Sequence, residues 1–543
     1  MDLARRQLPR FDYHPSLEQH EGRVIRHRVV IVGAGLVGLT LACDLACRGI
    51  ASVVLDEDDT IGVRGAASRG ICYARKSLQI FDRLGIGQRM RDKGVTWSVG
   101  RVLDVSGELY AFDLAQDLLA ANPPFVNLQQ YYVEWFLVDR LQELGLTEIR
   151  WKNKVVATTL ASDHVAFQVE TPDGAYMVEA DWAIACDGVH SPVRESLGLD
   201  PHREAYRDHW CITDVAVKGL PEGPKERMTW VEADFNAGKG LWKHKMADEV
   251  WRLDFQIGEE RDIRAEAAPE RAMARARAVF PEPAQIEAVS IVPWTYYTQV
   301  IDDFRHGRLF FAGDAAHAFS SFGARGGNSG IQDAENLAWK LVSVLNGQAP
   351  DALLTSYSQE RRPAALHNIA ITRRSSRFMA PRSKAEAGLR RAILALARNY
   401  AFARPLVNTG RLSDPYAYPP SDWIAQDGRT LDDIRLRDGD TLLDRFPARG
   451  SFRVILYGAP APDMEARLAA LAGDDPAIHC LILGEGKGDL PRCPDADGAI
   501  AQRLGLVPGQ ALLLRPDDHI CARLEAPDDN SLRNLRDHCL GRR

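Results

Sequence analysis

Four consecutive β-branched residues, Val29-Val30-Ile31-Val32, run directly into Gly33-Ala34-Gly35-Leu36-Val37-Gly38. A short unbroken apolar run predicts a strand covered on both faces, and three glycines at this spacing restrict what can follow it. The first permits a tight turn, the second lets backbone approach a pyrophosphate, and the third lets a helix pack on the strand. An apolar helix then reaches to about Arg48, with Gly49 placed as its C′ residue. Ser52-Val53-Val54-Leu55 closes a βαβ unit, and Asp56 follows at the end of that strand. Its distance from the glycines is close to the roughly 20 residues at which an acid meets a ribose hydroxyl. Glycines alone would fit a turn in another α/β protein; strand, helix start and acid together point to one dinucleotide site. Gly484, Gly486 and Gly488 do not repeat the spacing and are followed by Asp-Leu-Pro, so they predict a loop.

With 543 residues the chain has room for about three structural units. At 45% hydrophobic and 26% charged residues it reads as an ordinary globular chain, neither disordered nor membrane-embedded. The formal net charge of -7 gives no basic excess for nucleic acid or an anionic membrane. The nine cysteines are scattered and form no CxxC pair, which argues against a disulfide framework or a zinc site and fits a reducing, cytoplasmic setting. No His/Cys/Asp cluster has metal-ligand spacing, so no metal is expected. The first 27 residues have no apolar run of the kind a signal peptide carries.

Further along, His164–Glu170 and Ala175–Glu179 alternate around Asp173-Gly174 and predict a hairpin. Residues 96–126 and 199–300, with alternating stretches such as Val250-Trp-Arg-Leu-Asp-Phe255, predict an antiparallel sheet over the nucleotide unit. Residues 351–400 have helical spacing, Pro415 to Pro420 reads as a linker, and the apolar runs after about 429 suggest a third small domain. Three motifs remain. Ala183 to Gly188 ends a buried strand in Asp187-Gly188, before a helix capped by Ser191 with Pro192 at N1. Arg308 to His317 ends another in Gly313-Asp314, with His317 equally readable as a structural hydrogen-bonder or a catalyst. Gly326-Gly-Asn328-Ser329-Gly330 opens an amphipathic helix, and Ser329 and Gln332 have capping-box spacing.

This ordered set, from about residue 28 to 345, resembles the single-component FAD-dependent aromatic hydroxylases, the class A flavoprotein monooxygenases. The resemblance implies a Rossmann-like α/β FAD-binding domain (28–95, 127–198 and 296–350) interleaved with a β-sheet substrate domain (96–126 and 199–295). An N-terminal arm (1–27), a helical connection and linker (351–428) and a thioredoxin-like C-terminal domain (429–543) complete it. Lacking CxxC, that last domain would serve packing or a homodimer. Gly33, Gly35, Gly38 and Asp56 would hold the ADP half of a non-covalent FAD. Arg69 and Gln130 would contact the cofactor, and Asp187 and Gly188 would serve both FAD and NAD(P)H. Gly313 and Asp314 would meet the ribityl and phosphate region, with Gly326 and Asn328 beside the flavin ring. The implied reaction is hydroxylation of a phenolic or aromatic-acid substrate with NADH or NADPH and O2, through a flavin hydroperoxide. Tyr206, His244, Tyr296 and Tyr297 are unranked polar candidates for the substrate side. Ser320 and Ser321 stand where many family members carry two prolines. Two other readings stay open: an FAD-dependent dehydrogenase or halogenase on the same fold, and a non-catalytic flavoprotein acting as a sensor or assembly partner.

Overall fold

The computed structural model describes residues 8–62, 70–221, 223–407, 413–426, 428–446, 450–458, 462–474, 477–486 and 488–542. Its first sheet has the order Arg305–His306, Leu309–Phe311, Gly174–Ala185, Ile25–Val32, Ser52–Leu55, Thr147–Arg150. Ile25–Val32 lies centrally, parallel to both neighbours: Val30 is opposite Ala183 on one side and Val53 on the other. Val29 to Val32 are all buried, which is why that stretch shows no polar alternation. Helix Leu36–Cys47 packs over the sheet beside Gln130–Leu144 and Arg325–Leu345.

The expected hairpin and the strand ending in Asp187-Gly188 prove to share one element. Gly174–Ala185 pairs antiparallel with Val165–Thr171 over its first half and parallel with Ile25–Val32 as it continues. Its burial alternates where one face meets solvent and becomes continuous where both faces are covered.

The second sheet runs His317–Ala318, Gln285–Val300, His202–Lys218, Val250–Gln256, Lys239–Lys245, Arg227–Ala233, Val99–Asp104, Gly107–Asp113. Because side chains alternate along a strand, its two faces differ in kind. On one, Cys211, Leu241, Leu253 and Phe255 pack against helix Pro269–Arg277 through Ala272, Met273 and Ala276. On the other, the register places Ile212, Trp242 and Asp254 side by side, and Asp214, His244 and Arg252 in the next row.

The third sheet has the order Arg492–Cys493, Ile478–Leu483, Phe452–Tyr457, Ala511–Leu514, Ile520–Leu524, with parallel and antiparallel neighbours. The turn after Leu514 is driven into the rest of the protein. Arg515 donates to both oxygens of Glu360 at 2.6 and 2.9 Å, Asp517 accepts from Trp339 Nε1 at 3.1 Å, and Asp518 accepts from Gln79 at 2.6 Å and from Lys76 at 3.3 Å. The segment expected as a linker joins this interface. Tyr418 is buried, accepts from Arg361 at 3.0 Å and stacks on His519.

Candidate active site

The glycine loop is held by backbone proximity. A Cβ on Gly33, whose φ is 106°, would lie 2.5 Å from the Cys186 carbonyl oxygen, and one on Gly38 would lie 2.0 Å from that of Gly33. Over Gly35 the ground is open: the nearest atom to an added Cβ is Glu134 Oε1 at 4.0 Å. Asp56 accepts the Ala34 N–H at 2.5 Å and the Asp58 N–H at 2.9 Å, and burial pushes its carboxyl up to about 6. Gln130 accepts from the Gly70 N–H at 2.9 Å and donates to Glu134 at 2.8 Å, while Glu134 Oε2 accepts from the Gly62 N–H at 2.7 Å. Burial outweighs those bonds and lifts Glu134 to about 7. Arg69 lies outside the described residues.

Asp187 accepts from the Val193 N–H at 3.1 Å, and burial raises it to about 6. Gly313, with φ 60°, donates its N–H to Asp333 at 3.0 Å. Asp333 also takes His317 Nε2 at 2.6 Å and Arg361 Nε at 2.6 Å; these two outweigh burial and hold it at about 2. His317 is thus a buried hydrogen-bonder that braces the turn before Asp314.

The helix after this turn begins at Arg325, four residues before the serine expected to cap it. Ala324 supplies the left-handed entry with φ 56°, and Ser329, already inside the helix, accepts from Arg361 at 3.1 Å. Close packing on helix Leu36–Cys47 explains the glycines: a Cβ on Gly330 would sit 2.5 Å from Val37 Cγ2. The Asn328 amide is spent as a clamp. Its oxygen accepts from Ala74 N–H at 2.9 Å and Ser77 Oγ at 2.6 Å, and its nitrogen donates to the Cys72 and Ala324 carbonyls.

A cavity of about 340 Å³ joins these loops to the second sheet. Gly35, Gln130, Gly188, Asp314, Gly326 and Asn328 line one end; His244, Tyr296, Tyr297, Ser320 and Ser321 line the other. Gly33, Gly38, Asp56, Asp187 and Gly313 stand outside this lining. Tyr206 is not brought to it either: it lines a second cavity of about 610 Å³ with Asp208 and Gln256. Tyr296 and Phe322 border both cavities. Ser320 is fully buried and accepts from Ser376 at 3.4 Å.

The sheet end carries charges that inspection of the sequence did not single out: Arg227, Arg252 and Asp254. Arg252 is bidentate to Asp214, both bonds at 2.8 Å. Asp254 is 8% exposed, and its Oδ1 has no hydrogen-bond partner among the described residues. Burial raises it to about 6 despite Arg252. Arg227 Nε is likewise buried and unbonded. Burial, reinforced by Arg227 and Arg252, holds His244 well below the usual histidine range. Alternation puts Arg252 and Asp254 on the face opposite Trp251, Leu253 and Phe255, which by itself would send them to solvent; their burial is visible only in the fold.

The FAD binding domain family matches residues 26–372. The chain belongs to this family. A 3-(3-hydroxy-phenyl)propionate/3-hydroxycinnamic acid hydroxylase of Mycolicibacterium smegmatis is 31% identical over 363 residues, which make up 67% of this chain and 63% of that protein. The protein of the same description from Mycobacterium avium is 27% identical over 551 residues, covering 92% of this chain and 90% of its own length. So the chain spans under two thirds of the first relative and nearly all of the second. Among solved structures, OxyS anhydrotetracycline hydroxylase from Streptomyces rimosus superposes with TM-score 0.71 at 25% identity, covering 95% of this chain and 99% of that one. The flavin-dependent monooxygenase PieE, solved with FAD and substrate, gives TM-score 0.78 at 20% identity over 95% and 98% of the two chains, a likeness of fold. The residues present fit FAD. Open ground over Gly35 and over Gly326, where an added Cβ meets nothing within 4 Å, lies beside the starts of two helices, which present N–H groups to phosphate or to the ring. Among the described residues no helix is long and apolar enough to cross a membrane, and no group of His, Cys, Asp or Glu could hold a metal ion.

Proposed function

We propose that this chain is an FAD-dependent monooxygenase that hydroxylates a phenolic aromatic compound with NAD(P)H and O2. The observation that carries the reading is the single cavity in which the dinucleotide loops meet the polar face of the second sheet. Relatives named as hydroxylases of phenolic acids support the same chemistry. Bound FAD would supply the redox chemistry, accepting hydride from NAD(P)H and activating O2.

The chain's own residues do the rest. Gly33, Gly35 and Gly38 shape the loop that receives the ADP half, and Asp56 meets the ribose. Gln130, Asp187, Gly188, Gly313 and Asp314 position the middle of the cofactor. Gly326 and the backbone at Asn328 bring the N-terminus of helix Arg325–Leu345 to the ring, where its partial positive charge stabilises negative charge by roughly 0.3–2 kcal/mol. Trp242, Phe319 and Phe322 keep water from the reacting end. In this reading 28–95, 127–198 and 296–350 form the FAD unit, and 96–126 with 199–295 the substrate unit. Residues 429–543 form a thioredoxin-like domain that packs or dimerises, in a protein of the cytoplasm.

The test is to mix the FAD-loaded protein with NADH or NADPH, isotopically labelled O2 and a panel of phenols and hydroxybenzoates. One labelled oxygen atom per product is expected. Flavin reduction without label in any product would favour a dehydrogenase or halogenase, and no reduction at all would favour a non-catalytic flavoprotein.

A further inference from the structure

Burying a guanidinium is costly unless its donors are met, so the partners of a fully buried arginine show what it holds together. Arg361, in helix Thr355–Met379, is 1% exposed. Its Nε donates at 2.6 Å to Asp333, the carboxylate that also receives the Gly313 N–H at 3.0 Å. One terminal nitrogen donates to the carbonyl and the hydroxyl oxygens of Ser329 at 3.2 and 3.1 Å. The other donates to Tyr418 Oη at 3.0 Å. Asp333 ties down the Gly313-Asp314 turn, and Ser329 lies near the start of helix Arg325–Leu345. Both are backbone assigned above to the flavin. Tyr418 belongs to neither.

Tyr418 arrives with the third sheet. The segment that follows it is laced to the last strands of that sheet by backbone bonds. Gln426 donates to the Cys521 carbonyl at 3.0 Å, Ile520 to that of Arg429 at 2.9 Å and Leu431 to that of Asp518 at 2.8 Å. The Tyr418 ring stacks on His519 with centroids 4.4 Å apart, and the Arg515 guanidinium lies 5.5 Å from its centre. Glu360, next to Arg361 in the chain, takes both terminal nitrogens of Arg515. Helix Thr355–Met379 therefore stands between flavin mount and third sheet, with neighbouring residues gripping both.

We propose that Arg361 is a positioning residue for FAD. Through Tyr418 it holds the Gly313-Asp314 turn and the start of helix Arg325–Leu345 in the arrangement set by the docked third sheet, so FAD retention and docking of that sheet are coupled. The inference rests on the assignment of those two backbone segments to the flavin. It gives residues 429–543 a part in cofactor binding beyond packing or dimerisation. Only arginine suits the position, because its planar fork reaches three partners at fixed angles, whereas a lysine ammonium is a single point. Coupling of this kind is reciprocal: whatever docking adds to FAD affinity, FAD must add to docking.

The experiment titrates the full chain, stripped of its flavin, with FAD and follows flavin fluorescence. Tyr418→Phe removes the hydroxyl and keeps the ring on His519; it should raise the FAD dissociation constant by roughly 10-fold, inside the usual 5–150-fold range of such couplings. Arg361→Lys, which keeps the charge and loses the fork, should raise it at least as far. In the wild type, FAD should slow hydrogen exchange of the backbone amides at 515–521. That slowing should vanish in Tyr418→Phe, while the slowing at 313–330 remains. The proposal is overturned if Tyr418→Phe binds FAD as tightly as wild type, whatever happens to its denaturant midpoint, since Tyr418 would then serve packing alone. It is equally overturned if FAD leaves exchange at 515–521 of the wild type unchanged, a measurement that needs no variant to fold. Asp314→Ala separates the two readings. If it loses FAD while Tyr418→Phe does not, the flavin assignment of the turn stands and the coupling falls; if it keeps FAD, that assignment falls.

Discussion

The two ends of the central cavity are built on opposite principles. At the nucleotide end, shape is set by backbone: Gly33, Gly38 and Gly330 with no room for a Cβ, N–H groups received by Asp56, Glu134 and Asp333, and the Asn328 amide used up as a clamp. At the sheet end, side chains set the character: Arg252 is paired with Asp214, the Arg227 guanidinium lies over the Trp97 ring, and Asp254 Oδ1 has no hydrogen-bond partner among the described residues. The first end is closed to variation and the second is left to be completed by a ligand. In a family of hydroxylases, that division lets one cofactor mount serve many substrates.

Substitutions at the two ends should therefore fail differently. The largest effect is expected from Gly38→Ala, whose methyl would collide with the Gly33 carbonyl, and from Asp314→Ala beside the Gly313 turn. Both should yield protein largely free of FAD; normal flavin absorbance in either would break the assignment of the nucleotide end. Arg515→Met would take the guanidinium from buried Asp517 and leave Glu360 with Lys340 alone, at a cost of about 3–5 kcal/mol in a denaturant titration. An unchanged midpoint would show that the interface with the third sheet is weaker than its ion pairs suggest.

Glu134 sharpens the comparison through pH. Its carboxyl stands at 4.5 unperturbed and about 7 when folded, so the fold favours the protonated form. That contribution is fully present below 4.5 and is lost as pH rises through 7, by at most roughly 3 kcal/mol. Glu134→Gln keeps an acceptor for Gly62 and should flatten the stability of the FAD-free protein across this interval. The smallest effect is expected from the double change Ser320→Pro and Ser321→Pro, which removes two N–H groups and two hydroxyls at the sheet end. FAD content should hold, while a flavin-absorbance titration with a phenol should show binding weakened by roughly 1–3 kcal/mol. Equal affinity would make the serines neutral.

What could be read in the sequence follows the same division. Gly33, Gly38 and Gly313 were legible because close backbone approach admits few residue types at fixed spacings, and Gly188 through its φ of 82°, whereas the cofactor roles of Asp56, Asp187 and Asp314 belong to the proposed function. The start of helix Arg325–Leu345 was misplaced because Ser329 and Gln332 mimic a capping box, whereas packing against Val37 carries the helix further back. Tyr206 was grouped with His244, Tyr296 and Tyr297 because strand alternation alone does not say which of two cavities a residue enters. Arg227, Arg252 and Asp254 escaped notice since charges in an alternating strand ordinarily point to solvent. Only the layer above the sheet makes them interior. The proline-rich stretch around Tyr418 looked like a tether because composition records turns and not the aromatic buried between them.

The turn after Leu514 bears on how such proteins can diversify. Its charges are answered on three separate segments: by Lys76 and Gln79, by Trp339, and by Glu360. A carboxy-terminal portion borrowed from a relative would arrive with its own set of charges and find the wrong counterparts waiting. Recombination at the boundary near residue 429 should succeed only when all three segments travel with the graft, which ties the inheritance of the third sheet to that of the flavin mount.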